Sequence, residues 1–167
     1  MAVVYICGTA GTGKTTISTY LKKYGFFVIN LSHLVKHNKL YLGYDAERDS
    51  LIIDEEELNK YIKNLVKQRK HEKIVIEGIG AEALPNELAD LCVVLTCNIK
   101  TLKERLKSKG YSERKIMENL EAEKFGIILG DAESKFFNKV LTLDTSQLTP
   151  EHAAEKIVEK LRELKKL

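Results

Sequence analysis

Tryptophan is absent from this chain, proline occurs only twice and cysteine three times. The three cysteines, Cys7, Cys92 and Cys97, lie in or beside apolar runs of strand length. An odd count at those spacings gives neither a disulfide framework nor a metal-ligand pattern, so free, buried thiols in a reducing compartment are expected. The four histidines, His33, His37, His71 and His152, are read as surface residues without metal spacing. No apolar run approaches the ~20 residues that span a bilayer. Met1 leads straight into a short apolar run and a glycine-rich turn, unlike a secretory signal, so a cytoplasmic chain away from membranes is expected. Net charge is scarce too. The 27 basic and 24 acidic residues leave +3, which does not support direct RNA binding. Repeats, linkers and low-complexity stretches are missing as well. What remains is an ordinary globular composition, 44% apolar and 31% charged, over 167 residues that fit one domain.

Short apolar runs alternate with amphipathic segments along the whole chain. AVVYIC, FFVIN, KIVIEG, LCVVLTC and KVLTLD are nearly continuous in apolar residues and rich in Val and Ile. Such runs suit strands buried on both faces of a parallel sheet. Between them, TISTYLKKYG closes on Gly25, and IDEEELNKYIKNLVKQRK opens on Asp54 as a cap with Glu55 to Glu57 in its first turn. Leu58, Ile62, Leu65 and Val66 give the second helix its apolar stripe. A final helix starts with Thr149 as cap and Pro150 at its first position, and its apolar face is read through Ala154, Ile157, Leu161 and Leu164. The expected class is α/β, a five-stranded parallel sheet with helices on both faces.

Gly8 to Thr15 reads GTAGTGKT, which fits G-x-x-x-x-G-K-[ST] with a strand before it and a helix after it. Glycines let the backbone wrap a phosphate chain, and the helix start adds inward N–H groups and a favourable dipole. Gly8, Gly11, Thr12, Gly13, Lys14, Thr15 and Thr16 are the expected ATP-binding set. Lys14 would reach the β- and γ-phosphates and the Thr15 hydroxyl would hold Mg²⁺. Thr16 has the alternative of packing within the first helical turn. The motif leaves the phosphate acceptor open. No N-K-x-D element of a GTPase is present, and AAA-type and helicase ATPases are set aside on length, which leaves a P-loop kinase fold.

Two longer segments carry a resemblance. NLSHLVKHNKLYLGYDAERDSLIIDEEEL, Asn30 to Leu58, and TLKERLKSKGYSERKIMENLEAEKF, Thr101 to Phe125, resemble the atypical, nuclear-type adenylate kinases linked to small-ribosomal-subunit maturation. The human member of that family is the coilin-interacting nuclear ATPase protein. Asn30, Leu40, Tyr41, Gly43, Tyr44, Asp45 and Asp54 match the first segment. Arg105, Gly110, Tyr111, Glu113, Lys115, Ile116, Glu118, Asn119 and Glu123 match the second.

The resemblance implies an acceptor-binding region over about 30–53 and a closing lid over about 99–123. Asn30, Lys36, Tyr41, Tyr44, Asp45 and Lys109 are its candidate acceptor residues. Lys36 stands where the family has an arginine and keeps the charge without the bidentate fork; a solvated helix residue is the alternative. Tyr41 and Tyr44 would either stack on a base or pack the loop. Arg105 would steady charge on the transferring phosphoryl group. Glu77 ends a buried strand and would hold Mg²⁺ through water. Two residues on, Ile79 replaces a family histidine associated with hydrolysis. Asp144 and Ser146, after the last strand, would lie over adenine unless they form a plain turn. The implied activity is transfer from ATP to AMP or another nucleoside monophosphate, with a small-subunit ribosomal protein as an implied partner. An ATP-gated assembly ATPase and a small-metabolite kinase are the competing readings.

Overall fold

The five Val- and Ile-rich runs all become strands of one sheet in the computed structural model, which describes Met1–Leu167. They are β1 (Ala2–Cys7), β2 (Phe26–Asn30), β5 (Lys73–Glu77), β6 (Leu91–Thr96) and β7 (Val140–Asp144). All pair in parallel, in the order β2-β5-β1-β6-β7. Each residue of β1 is fully buried, and its side chains alternate between two cores. Val3, Tyr5 and Cys7 face one side, and Ala2, Val4 and Ile6 face the other. This is why the strand is apolar without a break.

Helices cover both faces. α1 (Lys14–Leu21) and α7 (Pro150–Glu163) close one face through Ile17, Leu21, Ala154, Ile157 and Leu161. α2 (Leu31–His37), α3 (Glu55–Gln68) and α6 (Ile127–Phe136) close the other through Leu34, Val35, Leu58, Ile62, Val66 and Phe136. Asp54 accepts the Glu57 N–H at 3.2 Å and Thr149 accepts the His152 N–H at 3.2 Å, so both expected caps form. Leu164 departs from the expected face: it stands just past α7 as its C-cap, where the helix has ended, and is exposed. The three cysteines are free and buried. No helix is long and apolar enough to cross a membrane.

Two further features shape the site. The segment after β2 forms α2 and then an antiparallel hairpin, β3 (Tyr41–Asp45) with β4 (Ser50–Ile53). And α4 (Ile99–Ser108) and α5 (Glu113–Lys124) pack on the loop after β1 through a small core of Ala10, Cys97, Leu102, Leu106, Ile116 and Leu120. The chain runs from β1 to one side of the sheet and then returns to the other. The crevice at the carboxyl ends of β1 and β5 is therefore a topological switch point, where α/β proteins bind ligands.

Candidate functional site

The loop Gly8–Gly13 leaves β1 and enters α1 with Gly8, Gly11 and Gly13 all at positive φ. Gly8 tolerates nothing larger: a Cβ there would stand 2.6 Å from the Leu95 carbonyl oxygen and 2.8 Å from Thr12 Oγ1. The Thr12 hydroxyl donates to the Thr9 carbonyl at 2.8 Å, bracing the loop from inside. Lys14 is buried, and its Nζ donates to the Gly8 and Thr9 carbonyls at 2.8 and 2.9 Å. Burial pushes its ammonium down from 10.5 to about 8, with the Glu77 carboxylate pulling the other way. The lysine thus folds back on its own loop.

Parallel register assembles the second group. Asn30 at the end of β2 pairs with Glu77 at the end of β5, and α1 holds Thr15 over both. Glu77 Oε1 accepts Asn30 Nδ2 at 2.6 Å and the Thr15 hydroxyl at 3.1 Å. The other side of the Asn30 amide caps α2 by accepting the His33 N–H at 2.8 Å. Asn30, which the resemblance implied as an acceptor contact, here braces Glu77 and caps α2. The buried carboxylate beside a hydroxyl is a hard-oxygen donor set of the kind that suits Mg²⁺.

Two concavities flank this centre. The first, of about 270 Å³, is lined by Gly11–Gly13, Thr16, Ile17, Arg105, Lys109, Thr145, Leu148 and Pro150. Arg105 donates to the Thr145 carbonyl at 2.8 Å, to Thr145 Oγ1 at 3.0 Å and to the Gly11 carbonyl at 3.3 Å. The resemblance placed Arg105 on the moving phosphoryl group. Here its guanidinium joins the P-loop to the loop after β7 and walls this cavity. Lys109, expected on the acceptor side, lines the same cavity. After β7, Thr145 lines this cavity, while Asp144 is turned onto Ser146, accepting its N–H at 2.9 Å and its hydroxyl.

The second concavity, a groove of about 610 Å³, lies beyond Glu77 against Ile79 and Gly80. Lys36 enters it from α2, Asp49 to Leu51 and Ile53 from the hairpin, Tyr111 from the turn before α5 and Lys115 from its first turn. Tyr41, Tyr44 and Asp45 do not line it. The Tyr44 hydroxyl is spent on Asp49, and Asp45 caps the hairpin turn by accepting the Glu47 and Arg48 N–H groups. Sequence reasoning missed Tyr111 and Lys115 as groove residues. The only signal was their place in the second matched segment, and nothing local ties them to α2.

Comparison with known proteins agrees with this architecture. A family model described as an AAA domain matches residues 4–126. Length therefore does not set this chain apart from AAA-type proteins, since the match rests on the nucleotide-binding core. A Methanocaldococcus jannaschii protein named "Putative adenylate kinase" is 37% identical over 97% of this chain and 87% of its own length. A Saccharolobus solfataricus protein of the same name is 36% identical over 95% of this chain and 82% of its own. Among solved structures, shikimate kinase from Acinetobacter baumannii superposes with a TM-score of 0.62 at 14% identity, covering 99% of this chain and 95% of its own. Thymidylate kinase from Candida albicans does so with 0.64 at 15% identity, covering 99% and 92%. At these identities the structural likeness is one of fold: a P-loop kinase fold.

Proposed function

The chain belongs to the adenylate kinase-like P-loop family, and from that premise we propose that it moves the γ-phosphate of MgATP to AMP or another nucleoside monophosphate. One observation carries the reading. A second groove, separate from the cavity beside Gly11–Gly13, lies against Ile79 and Gly80 just after β5 and is lined by lysines from two different elements, Lys36 and Lys115. Hydrolysis needs one nucleotide site, whereas transfer between nucleotides needs two that face each other. The groove falls within the ~300–1,000 Å³ range of small-molecule sites, and apolar Leu31, Val35, Leu51, Ile53 and Leu84 give it a wall for a base.

Each residue then has one task. Gly8 to Gly13 wrap the triphosphate and Lys14 leaves the Gly8 and Thr9 carbonyls for its terminal phosphates. Arg105, Thr145 and Leu148 bound the donor nucleoside. Thr15 and, through water, Glu77 would hold Mg²⁺, which when bound neutralises phosphate charge. Lys36 and Lys115 hold the acceptor phosphate, already an anionic nucleophile, so no general base is required. Ile79, exposed on the groove, has no atom that orients water or carries a proton. This favours transfer over loss of the phosphate to water.

Lys36→Met and Lys115→Met test the acceptor assignment. Each is expected to raise the KM for AMP about tenfold, the worth of one charge-assisted contact, and to leave the KM for MgATP within about twofold. Steady-state kinetics with each nucleotide varied in turn decides it. A shift in the MgATP constant with the AMP constant unchanged would put the acceptor elsewhere.

A further inference from the structure

Three consecutive residues of the P-loop are held from outside by the α4–α5 pair. Gly11 has its carbonyl taken by Arg105, and a Cβ on it would come within 3.1 and 3.2 Å of Leu102 and Leu106. Ala10 is buried in the core those leucines form with Ile116 and Leu120. Thr9 is held by a carboxylate: its buried hydroxyl donates to Glu123 Oε2, 114 positions away in sequence. The other oxygen, Glu123 Oε1, accepts the Cys97 N–H at 2.8 Å, at the end of β6. The Thr9 carbonyl is in turn the acceptor for Lys14 Nζ and for Thr12 Oγ1.

We propose that Glu123 is a positioning residue that sets the P-loop for the donor triphosphate. The inference rests on the donor-site reading above. A carboxylate beside an anion site repels phosphate when its oxygens are free; here both are engaged, one on the loop and one on the sheet. It ties Thr9 to β6 through one rigid group, and a hydrogen bond to an ionised acceptor is about twice as strong as a neutral one. The Thr9 peptide is the part of the loop that must not drift. Its carbonyl holds Lys14 and Thr12, and its neighbours supply the N–H groups that would meet phosphate. The leucine core holds Ala10 and Arg105 holds Gly11, so releasing Thr9 frees the loop at its β1 end alone.

A double-mutant cycle on MgATP binding tests this, with direct titration of the full chain. Thr9→Val keeps the shape and removes the hydroxyl, and Glu123→Ala removes the carboxylate. Each is expected to weaken MgATP binding about tenfold, and the double variant no further than Glu123→Ala alone, because the Thr9 contact is already lost in that variant. Thr9→Ser, which keeps the donor, is expected to restore the affinity to within about twofold, and the KM for AMP is expected to stay put in every variant. An affinity within twofold of the parent for either single variant overturns the inference. So does a double variant about a hundredfold weaker, which would mean independent effects. Should Glu123→Ala fail to fold, Thr9→Val against Thr9→Ser decides alone. A parent protein that binds no MgATP overturns the donor-site reading itself, and that result is distinct from any of these.

Discussion

Replacing Lys14 with methionine is expected to give a protein that transfers no measurable phosphate yet folds more stably than its parent when nucleotide is absent. The loss of turnover should be about 10²–10³-fold or more, the scale for removing one preorganised charge stabiliser from a reacting phosphate. The gain in stability comes from burial. In the unfolded chain this lysine keeps its proton up to pH 10.5, whereas the folded protein releases it near 8. Below pH 8 the folded state therefore carries a buried ammonium at a cost of about 3 kcal/mol, which its hydrogen bonds to Gly8 and Thr9 offset in part. Because the unfolded chain binds more protons between pH 8 and 10.5, parental stability rises with pH through that window. Lys14→Met should thus be about 1–3 kcal/mol more stable than its parent at pH 7, and the gap should close towards pH 10.5. Urea unfolding at the two pH values measures this. A variant less stable at pH 7, or a gap unchanged with pH, would mean the ammonium is not buried at this cost. The site would then hold no stored preference for a phosphate chain.

Glu77 should divide the opposite way. Glu77→Gln keeps an oxygen for Thr15 and Asn30 and removes the charge, so thermal unfolding is expected to change little. Turnover is expected to fall about 10²-fold, with the Mg²⁺ concentration for half-maximal rate raised at fixed ATP. Glu77→Ala adds a structural cost of about 1–3 kcal/mol, because the Asn30 amide is left without its buried acceptor. Titrating Mg²⁺ against initial rate for both variants separates the two effects. Equal stability loss in Gln and Ala, with no change in Mg²⁺ dependence, would make Glu77 a packing residue only.

How much of this could be read from residues in order depends on how local each cause is. The P-loop was legible because its function is a fixed spacing: Gly8, Gly13, Lys14 and Thr15 must follow one another for the backbone to wrap. The five sheet strands were legible because burial on both faces leaves an unbroken apolar run. The caps at Asp54 and Thr149 were legible because a cap bonds three residues ahead. The β3–β4 hairpin was hidden for the converse reason. Leu42, Tyr44 and Ile52 are largely exposed, so their pattern carries no burial signal. The site residues divide the same way. Arg105 is legible through the matched segment, but its partners Gly11 and Thr145 are not, since they lie 94 and 40 positions away. Asn30 was expected to meet a ligand, and only the parallel register of β2 on β5 reveals Glu77 beside it. Lys115 and Glu123 sit on opposite ends of one helix, one lining the groove and the other bonding Thr9, a division that only the packing of α4 and α5 creates.

The measurement that bears most directly on this account is ADP formation from MgATP, followed with and without a panel of nucleoside monophosphates. Turnover without acceptor is expected to be low, as Ile79 offers no means of activating water. Addition of AMP is expected to stimulate it at least about tenfold, with two ADP formed per ATP consumed. Steady ADP formation that ignores every monophosphate, or that rises only when a small-subunit ribosomal protein is added, would contradict transfer between nucleotides as the function of this site.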